Sequence, residues 1–208
     1  HGWEIQPDWI LPAQNTVTAL TAVLSGITAP EDRCLVLTPA YDPFFNAVTG
    51  IGRTLVTLPL TECGGRYDLD FDRLEQAFSQ GIRVLIFCNP HNPAGKVWTK
   101  EELERIAALC ARWDVTILSD DVHCDWVFEP HTYRSLAEFP DAAGRTVVFT
   151  SPGKTFNLAG LGACALIVPD EELRKRAARS LEALFIKGPN LFALAAMEAA
   201  YQEGGDAE

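Results

Sequence analysis

The chain has 208 residues, with 17 lysines and arginines against 28 aspartates and glutamates, which gives a formal net charge of −11 at pH 7. This length fits one large domain, or one domain with part of a second. A chain this acidic is repelled by phosphate backbones and anionic lipid surfaces, so we expect no nucleic-acid or membrane partner. Hydrophobic residues at 48% and charged residues at 22% exclude a disordered or collagen-like chain.

Short runs of β-branched and apolar residues alternate with helical patterns along the chain. This alternation is typical of an α/β fold, in which a mostly parallel sheet carries helices on both faces. In chain order the predicted elements are a helix at Thr16–Ser25, strands at Cys34–Thr38 and Thr54–Leu58, a helix at Phe71–Ser79, a strand at Val84–Cys88, a helix after Thr99, strands at Thr116–Ser119, Thr146–Thr150 and Ala163–Val168, and helices at Glu171–Leu184 and Leu191–Gln202. The longest apolar run, Leu161–Val168, is much shorter than the ~20 residues of a membrane span.

The start of the helix after Thr99 is marked by a capping box. Thr99 and Glu102 stand at the spacing at which each side chain satisfies a free backbone N–H of the other residue.

The six cysteines are scattered, without a Cys-x-x-Cys pair that would indicate zinc or a redox site. They are Cys34, Cys63, Cys88, Cys110, Cys124 and Cys164. We interpret them as buried free thiols of a protein in a reducing compartment, and we therefore expect a cytoplasmic location. His91, His123 and His131 share no metal-ligand spacing, so we expect no metal.

Polar residues follow the predicted strands at the positions where each strand ends. In an open parallel sheet the ligand crevice lies at the carboxyl ends of the strands, so these loops are expected to meet at one edge. They contain Tyr41 after the first strand, Asn92 after the third, Asp120 and His123 after the fourth, and Ser151 and Lys154 after the fifth. Each residue has an ordinary interpretation alone: a surface lysine, a capping aspartate, an Asn-Pro turn and a core tyrosine.

Together these residues supply an amine, a carboxylate, an amide and an aromatic face, which is the set that a pyridoxal 5′-phosphate site requires. A desolvated lysine loses its proton readily and can form a Schiff base with an aldehyde, which is the role expected of Lys154. Asp120 would keep the pyridine nitrogen protonated, so that the ring can withdraw electrons. Asn92 would donate to the phenolate oxygen, His123 could reach the same edge, and Tyr41 would stack on the ring.

The phosphate of this cofactor fits best at a helix N-terminus, where free N–H groups and the helix dipole favour an anion. The helix that begins near Asn15 and Thr16 supplies such an end, and Ser151 adds a hydroxyl group.

Four segments carry a family resemblance. They are residues 38–45 (TPAYDPFF), 89–98 (NPHNPAGKVW), 119–123 (SDDVH) and 151–161 (SPGKTFNLAGL). In this order they resemble the fold-type-I, pyridoxal-phosphate-dependent aminotransferase class I/II family, and within it the carbon–sulfur lyase branch of cystathionine β-lyase and the maltose regulon modulator. The resemblance implies that Lys154 binds the cofactor covalently, that Asp120 pairs with the pyridinium, and that Asn92, Tyr41 and Ser151 contact the phenolate oxygen, ring and phosphate.

The sequence departs from the family pattern at several places. Gly153 precedes the lysine where this branch usually has serine, Asp121 stands for a glutamate, and no phosphate-loop glycine is obvious before Thr16. Family members also have an N-terminal segment that reaches the neighbouring subunit and a C-terminal small domain with a substrate-binding arginine, neither of which is visible. We therefore expect residues 1–208 to be the cofactor-binding large domain of a longer protein, and the resemblance implies a homodimer.

The resemblance favours a β-lyase that acts on a sulfur-containing amino acid and releases thiol, pyruvate and ammonia. Aminotransfer is the alternative because both reactions begin with removal of the α-proton. A regulatory or cofactor-binding protein without turnover is an alternative of another class. A dinucleotide site at Gly160-x-Gly162-x-x-Ala165 is disfavoured because these glycines precede a predicted strand rather than open a helix.

Overall fold

The computed structural model describes residues 1–204, and the last four residues of the predicted domain, 205–208, lie outside the described residues. Its strands are β1 (Ile10–Ala13), β2 (Arg33–Thr38), β3 (Thr54–Pro59), β4 (Thr61–Cys63), β5 (Arg66–Asp68), β6 (Ile82–Cys88), β7 (Thr116–Asp120), β8 (Thr146–Thr150) and β9 (Cys164–Ile167). Its α-helices are α1 (Thr16–Ile27), α2 (Pro43–Thr49), α3 (Phe71–Ser79), α4 (Lys100–Arg112), α5 (Pro140–Ala143), α6 (Glu171–Ala183) and α7 (Leu191–Glu203).

Seven strands form the central sheet, in the order β1-β9-β8-β7-β6-β2-β3, and β4 and β5 form a separate antiparallel hairpin. The strands β3, β2, β6, β7 and β8 are parallel, whereas β9 is antiparallel to both β8 and β1. Two reversals return β1 to the direction of β8. The carboxyl end of β1 therefore lies at the same edge of the sheet as the carboxyl ends of the parallel strands.

Helices cover both faces of this sheet. Since successive side chains of a strand point to opposite faces, neighbouring residues of one strand pack into different core clusters. Leu118 of β7 belongs to a core cluster with α1, α2 and α6. The preceding residue, Ile117, belongs to a second cluster with α3, α4 and α5. The predicted α/β class, with a mostly parallel sheet between two helical layers, is confirmed.

Local sequence signals predicted several elements closely. The capping box of α4 is present: the Glu102 N–H donates to Thr99 Oγ1 at 3.2 Å, and the Thr99 N–H donates to Glu102 Oε2 at 2.9 Å. The strand Thr146–Thr150 and the helix Phe71–Ser79 have the predicted bounds. The strand β1, the β4–β5 hairpin and the short helices α2 and α5 were not predicted.

The cysteines are free thiols, as predicted, but they are not all buried. Cys63 is exposed because it lies on β4, in a hairpin outside the central sheet, whereas the other five are buried. Among residues 1–204 there is no helix that is both long enough and apolar enough to cross a membrane.

Candidate active site

Six of the eight predicted site residues line one cavity of about 170 Å³ at the carboxyl edge of the sheet. They are Asn15, Thr16, Tyr41, Asp120, Ser151 and Lys154. These residues come from the chain segments that end or follow β1, β2, β7 and β8, because all four strands run toward this edge. The topology thus brings together residues separated by more than 100 positions in the sequence.

Asp120 is the last residue of β7 and is only 4% exposed. Burial raises the pKa of its carboxyl to about 7, against the opposing effects of the Val122 N–H and the positive charge of Lys154. The Val122 N–H lies 3.4 Å from Asp120 Oδ1, which is a long hydrogen bond. The carboxyl thus lies beside the cavity with little internal compensation for its charge, so a cationic donor in the cavity would stabilise it.

Lys154 is exposed, which differs from the desolvated lysine that the sequence analysis expected. It lies on the turn after β8, at the open side of the cavity, where residues 1–204 leave it uncovered. Its charge nevertheless acts on the site, because it lowers the pKa values of both Asp120 and His123. Burial is the larger cause of the lowered pKa of His123, a half-buried residue that does not line the cavity.

The hydroxyl group of Ser151 is engaged within the chain. It donates to the carbonyl oxygen of Ala163 at 2.6 Å and accepts from the Gly153 N–H at 3.1 Å. A Cβ atom added at Gly153 would lie 3.1 Å from both Ala159 Cα and Ser151 Oγ. The glycine before Lys154 therefore fits a turn in which a serine would have to displace its neighbours.

The N-terminus of α1 opens into the cavity. Asn15 caps the helix, since its Oδ1 accepts the Thr18 N–H at 3.1 Å. Within residues 1–204 the backbone N–H groups of Thr16 and Val17 have no hydrogen-bond acceptor, and both residues line the cavity. Gly162 closes this end with a φ of 70°, at a position where a Cβ would lie 3.1 Å from the Gln14 carbonyl oxygen. The arrangement can bind an anion.

Tyr41 and Asn92 are placed by neighbouring loops. The ring of Tyr41 packs edge-on against Phe44, with centroids 5.7 Å apart, and its exposed part lines the cavity. Asn92 is half-buried on the loop after β6 and is not among the residues that line the cavity. Sequence reasoning gave no role to His91, whose buried Nε2–H donates to the Pro39 carbonyl oxygen at 2.7 Å. This bond ties the Asn92 loop to the Tyr41 loop, and the histidine inside Asn89–Pro93 was the available signal.

Asp121 lies on the opposite face from Asp120. It is fully buried, and its carboxylate accepts from Ser119 Oγ and Tyr133 Oη, both at 2.5 Å. Burial raises the pKa of Asp121 to about 7, although both hydrogen bonds lower it. Asp121 borders a second cavity of about 210 Å³ that Trp3 also lines. The two adjacent carboxyl groups thus serve different environments.

Gly160 of the dinucleotide pattern lies in a short 3-10 helix (Ala159–Leu161), and Gly162 stands shortly before β9, so no α-helix begins there. The segment therefore lacks the helix N-terminus that a dinucleotide site needs. Among residues 1–204 the one group of three clustered metal-ligating side chains is His1, Cys124 and Asp125, where His1 Nε2 pairs directly with Asp125 Oδ1 at 2.8 Å.

The sheet is mostly parallel, and helices pack on both of its faces. Its carboxyl edge carries a lysine, a buried carboxyl and a helix N-terminus with free N–H groups. These features define an α/β domain of the small-molecule-binding class. The chain belongs to the aminotransferase class I and II family, whose model matches residues 6–205.

Several curated proteins align with nearly all of the chain. It is 39% identical over 207 residues to cystathionine beta-lyase PatB from Bacillus subtilis (strain 168), which covers 99% of this chain and 54% of that protein. It is 34% identical over 208 residues to protein MalY from Escherichia coli (strain K12), covering 98% and 52% of the two chains. The crystal structure of cystalysin from Treponema denticola, which contains a pyridoxal 5′-phosphate cofactor, matches with a TM-score of 0.96 at 33% identity and covers 100% of this chain and 53% of that one. The chain spans about half the length of the curated relatives it matches.

Proposed function

We propose that this chain binds pyridoxal 5′-phosphate and forms the cofactor-binding large domain of a carbon–sulfur β-lyase. One observation carries the proposal: the poorly compensated buried carboxyl of Asp120 borders the same cavity as Lys154 and the free N–H groups of Thr16 and Val17. A pyridinium N–H and a phosphate are the complementary partners of these two ends. The donor set therefore fits the cofactor.

Each residue has a separate task in this proposal. Asp120 holds the proton on the ring nitrogen, and the N–H groups of Thr16 and Val17 bind the phosphate. Tyr41 stacks on the ring, and Asn92 and His123 serve its phenolate oxygen. Ser151 would contribute a phosphate hydrogen bond only by giving up its donation to Ala163, since one hydroxyl has one proton.

When bound, pyridoxal phosphate links to an amine and withdraws electrons from the substrate α-carbon. Lys154 Nζ would hold the cofactor covalently and would serve as the general base that removes the proton from the substrate α-carbon. In the lyase reaction the bond between the β-carbon and sulfur breaks with its electron pair leaving on sulfur. The departing sulfur takes up a proton and the remaining three-carbon amine is hydrolysed by one water, so the products are a thiol, pyruvate and ammonia. The names of the PatB and cystalysin relatives support a sulfur-containing amino acid as substrate.

The first test is an absorbance spectrum of the purified full-length protein with added pyridoxal phosphate. We expect a visible band of the lysine-bound cofactor in the wild type and in Lys100→Ala, a control at an exposed lysine of α4, and no band in Lys154→Ala. A band that survives Lys154→Ala would overturn the assignment of the lysine. A wild type without a band would overturn the cofactor.

The reaction itself is tested with cystathionine. Pyruvate and thiol released together support the lyase, whereas transfer of the amino group to a keto acid without thiol release supports aminotransfer. A protein that binds the cofactor and does neither would have a binding or regulatory role.

We also propose a cytoplasmic homodimer. The free thiols of all six cysteines support a reducing compartment. The helix α7 supports a subunit contact, because Leu191 and Phe192 are more than three-quarters exposed and of its residues only Ala193 is buried. Light scattering that gives a monomer mass for the full-length protein would contradict the dimer.

A further inference from the structure

The carboxylate of Asp125 lies between the two turns that carry the proposed catalytic groups. Asp125 follows Asp120 by five residues in the turn after β7, and Thr155 directly follows Lys154 in the turn after β8. Thr155 Oγ1 donates to Asp125 Oδ2 at 2.8 Å. Within residues 1–204 this is the only hydrogen bond between side chains that joins segment 121–126 to segment 151–158.

The other contacts of the Lys154 turn stay within it or reach elements other than the segment after β7: Ser151 Oγ donates to the Ala163 carbonyl oxygen before β9, and the Phe156 ring packs edge-on against Tyr201 of α7. The Phe156 N–H donates to the Pro152 carbonyl oxygen at 3.0 Å, and the Leu158 N–H donates to the Gly153 carbonyl oxygen at 3.1 Å. Both bonds stay within the turn. The bond between Thr155 and Asp125 anchors this turn from outside, so without it the turn would open more often and these two bonds would break with it.

Asp125 is itself fixed by contacts outside the two turns. Its Oδ1 atom pairs with His1 Nε2 at 2.8 Å, and the ring of His1 packs edge-on against Tyr133, with centroids 4.9 Å apart. Both carboxylate oxygens are therefore engaged, and the side chain is only 23% exposed. A side chain held at both oxygens is a firm support for the turn that it binds.

We propose that Asp125 is a positioning residue for Lys154, acting through Thr155; this inference rests on the proposed function. Asp125 lies outside the cavity that Asp120 and Lys154 line, and His1 and Thr155 engage both of its carboxylate oxygens, so it is assigned no contact with the cofactor. Its task is to keep the exposed Lys154 side chain over that cavity.

The first arm of the test uses the cofactor-free full-length protein and hydrogen exchange of the amides of Phe156 and Leu158. Thr155→Val removes the donor at nearly constant shape, and we expect exchange about ten-fold faster, the scale of a lost hydrogen bond to a charged group. Thr155→Ser keeps a hydroxyl and serves as the matched control, with exchange within two-fold of the wild type. Asp125→Asn keeps an acceptor and should be affected less than Asp125→Ala. Equal exchange in all variants would overturn the tie.

The second arm separates positioning of the amine from general damage to the pocket. Capture of pyridoxal phosphate by Lys154 is measured by borohydride trapping and mass spectrometry, and pocket integrity by the affinity for 4′-deoxypyridoxine phosphate, which lacks the aldehyde. For Thr155→Val we expect capture about ten-fold slower and analogue affinity within two-fold of the wild type. Unchanged capture, or capture and analogue affinity falling in parallel, would overturn the positioning role. A wild type that binds neither compound overturns the proposed function, and the positioning role falls with it whatever the exchange data give.

Discussion

The buried carboxyl of Asp120 makes the cofactor-free protein less stable as the pH rises. On folding its pKa rises from 3.8 to about 7 because burial opposes its charge. Between these pH values the folded protein keeps a proton that the unfolded chain releases, so the free energy of unfolding falls as the pH rises through this window. At about 1.4 kcal/mol for each unit of pKa, the difference of about three units corresponds to roughly 4 kcal/mol, present in full above pH 7.

Asp120→Asn keeps the shape of the side chain and cannot ionise. We expect the variant to match the wild type near pH 4 and to exceed its free energy of unfolding by up to roughly 4 kcal/mol at pH 8. Part of the pH dependence remains, because the pKa of Asp121 is also raised to about 7 by burial and, to a smaller extent, by the charge of Asp120. The assay is urea unfolding followed by circular dichroism from pH 4 to pH 8 without pyridoxal phosphate.

Asp141→Asn, at an exposed carboxyl of α5, is the matched control and should follow the wild-type curve. A difference between Asp120→Asn and the wild type that is independent of pH would refute the reasoning. Added pyridoxal phosphate should reverse the order at pH 8, because the wild type gains a partner for its carboxylate that the variant cannot hold.

Three further changes test other parts of the structure. Thr99→Ala should lower the free energy of unfolding by about 1 kcal/mol in urea, because the N–H of Glu102 loses its cap; an unchanged midpoint would contradict this. Gly162→Ala should destabilise the chain by about 1–3 kcal/mol and weaken the binding of 4′-deoxypyridoxine phosphate, because alanine disfavours the positive φ of this position and its Cβ would crowd the Gln14 carbonyl oxygen; wild-type affinity with wild-type stability would disprove the close approach. Tyr133→Phe should cost about 1.5–3 kcal/mol at pH 8 and less at pH 5, since Asp121 is then largely protonated; an equal loss at both pH values would count against it.

The sequence predicted elements whose signals are local. The capping box of α4 and the apolar strands β2, β6 and β8 depend on neighbouring residues, so their positions could be read directly. The strand β1 was missed because it is four residues long, contains Pro12 and pairs only with β9, so its extended form depends on a distant partner. The helix α2 was missed because it has only seven residues, beginning at Pro43, and is too short for a helical period to be recognised.

The residues of the candidate site were likewise predictable where local signals sufficed and unpredictable where distant parts of the chain decide. Asp120 and Lys154 were predicted from their positions at strand ends, and a parallel sheet is enough to bring such residues together. The exposure of Lys154 could not be predicted, because burial depends on what covers the sheet edge. The bond between Thr155 and Asp125 also escaped prediction, since it joins residues 30 positions apart through side-chain directions that no sequence period encodes.

The pairing of β1 with β9 has a consequence for biosynthesis. Ile10 aligns with Ile167, so the first strand has no neighbour in the sheet until the ribosome has released the last one. The helix α1, which supplies the proposed phosphate-binding N–H groups, follows β1 directly and takes its final place at the sheet edge only then. Contacts between such distant segments form slowly, because a long loop must close first. Cofactor loading should therefore be a late event, after synthesis of this sheet is complete, and nascent chains that end before β9 should not retain the cofactor.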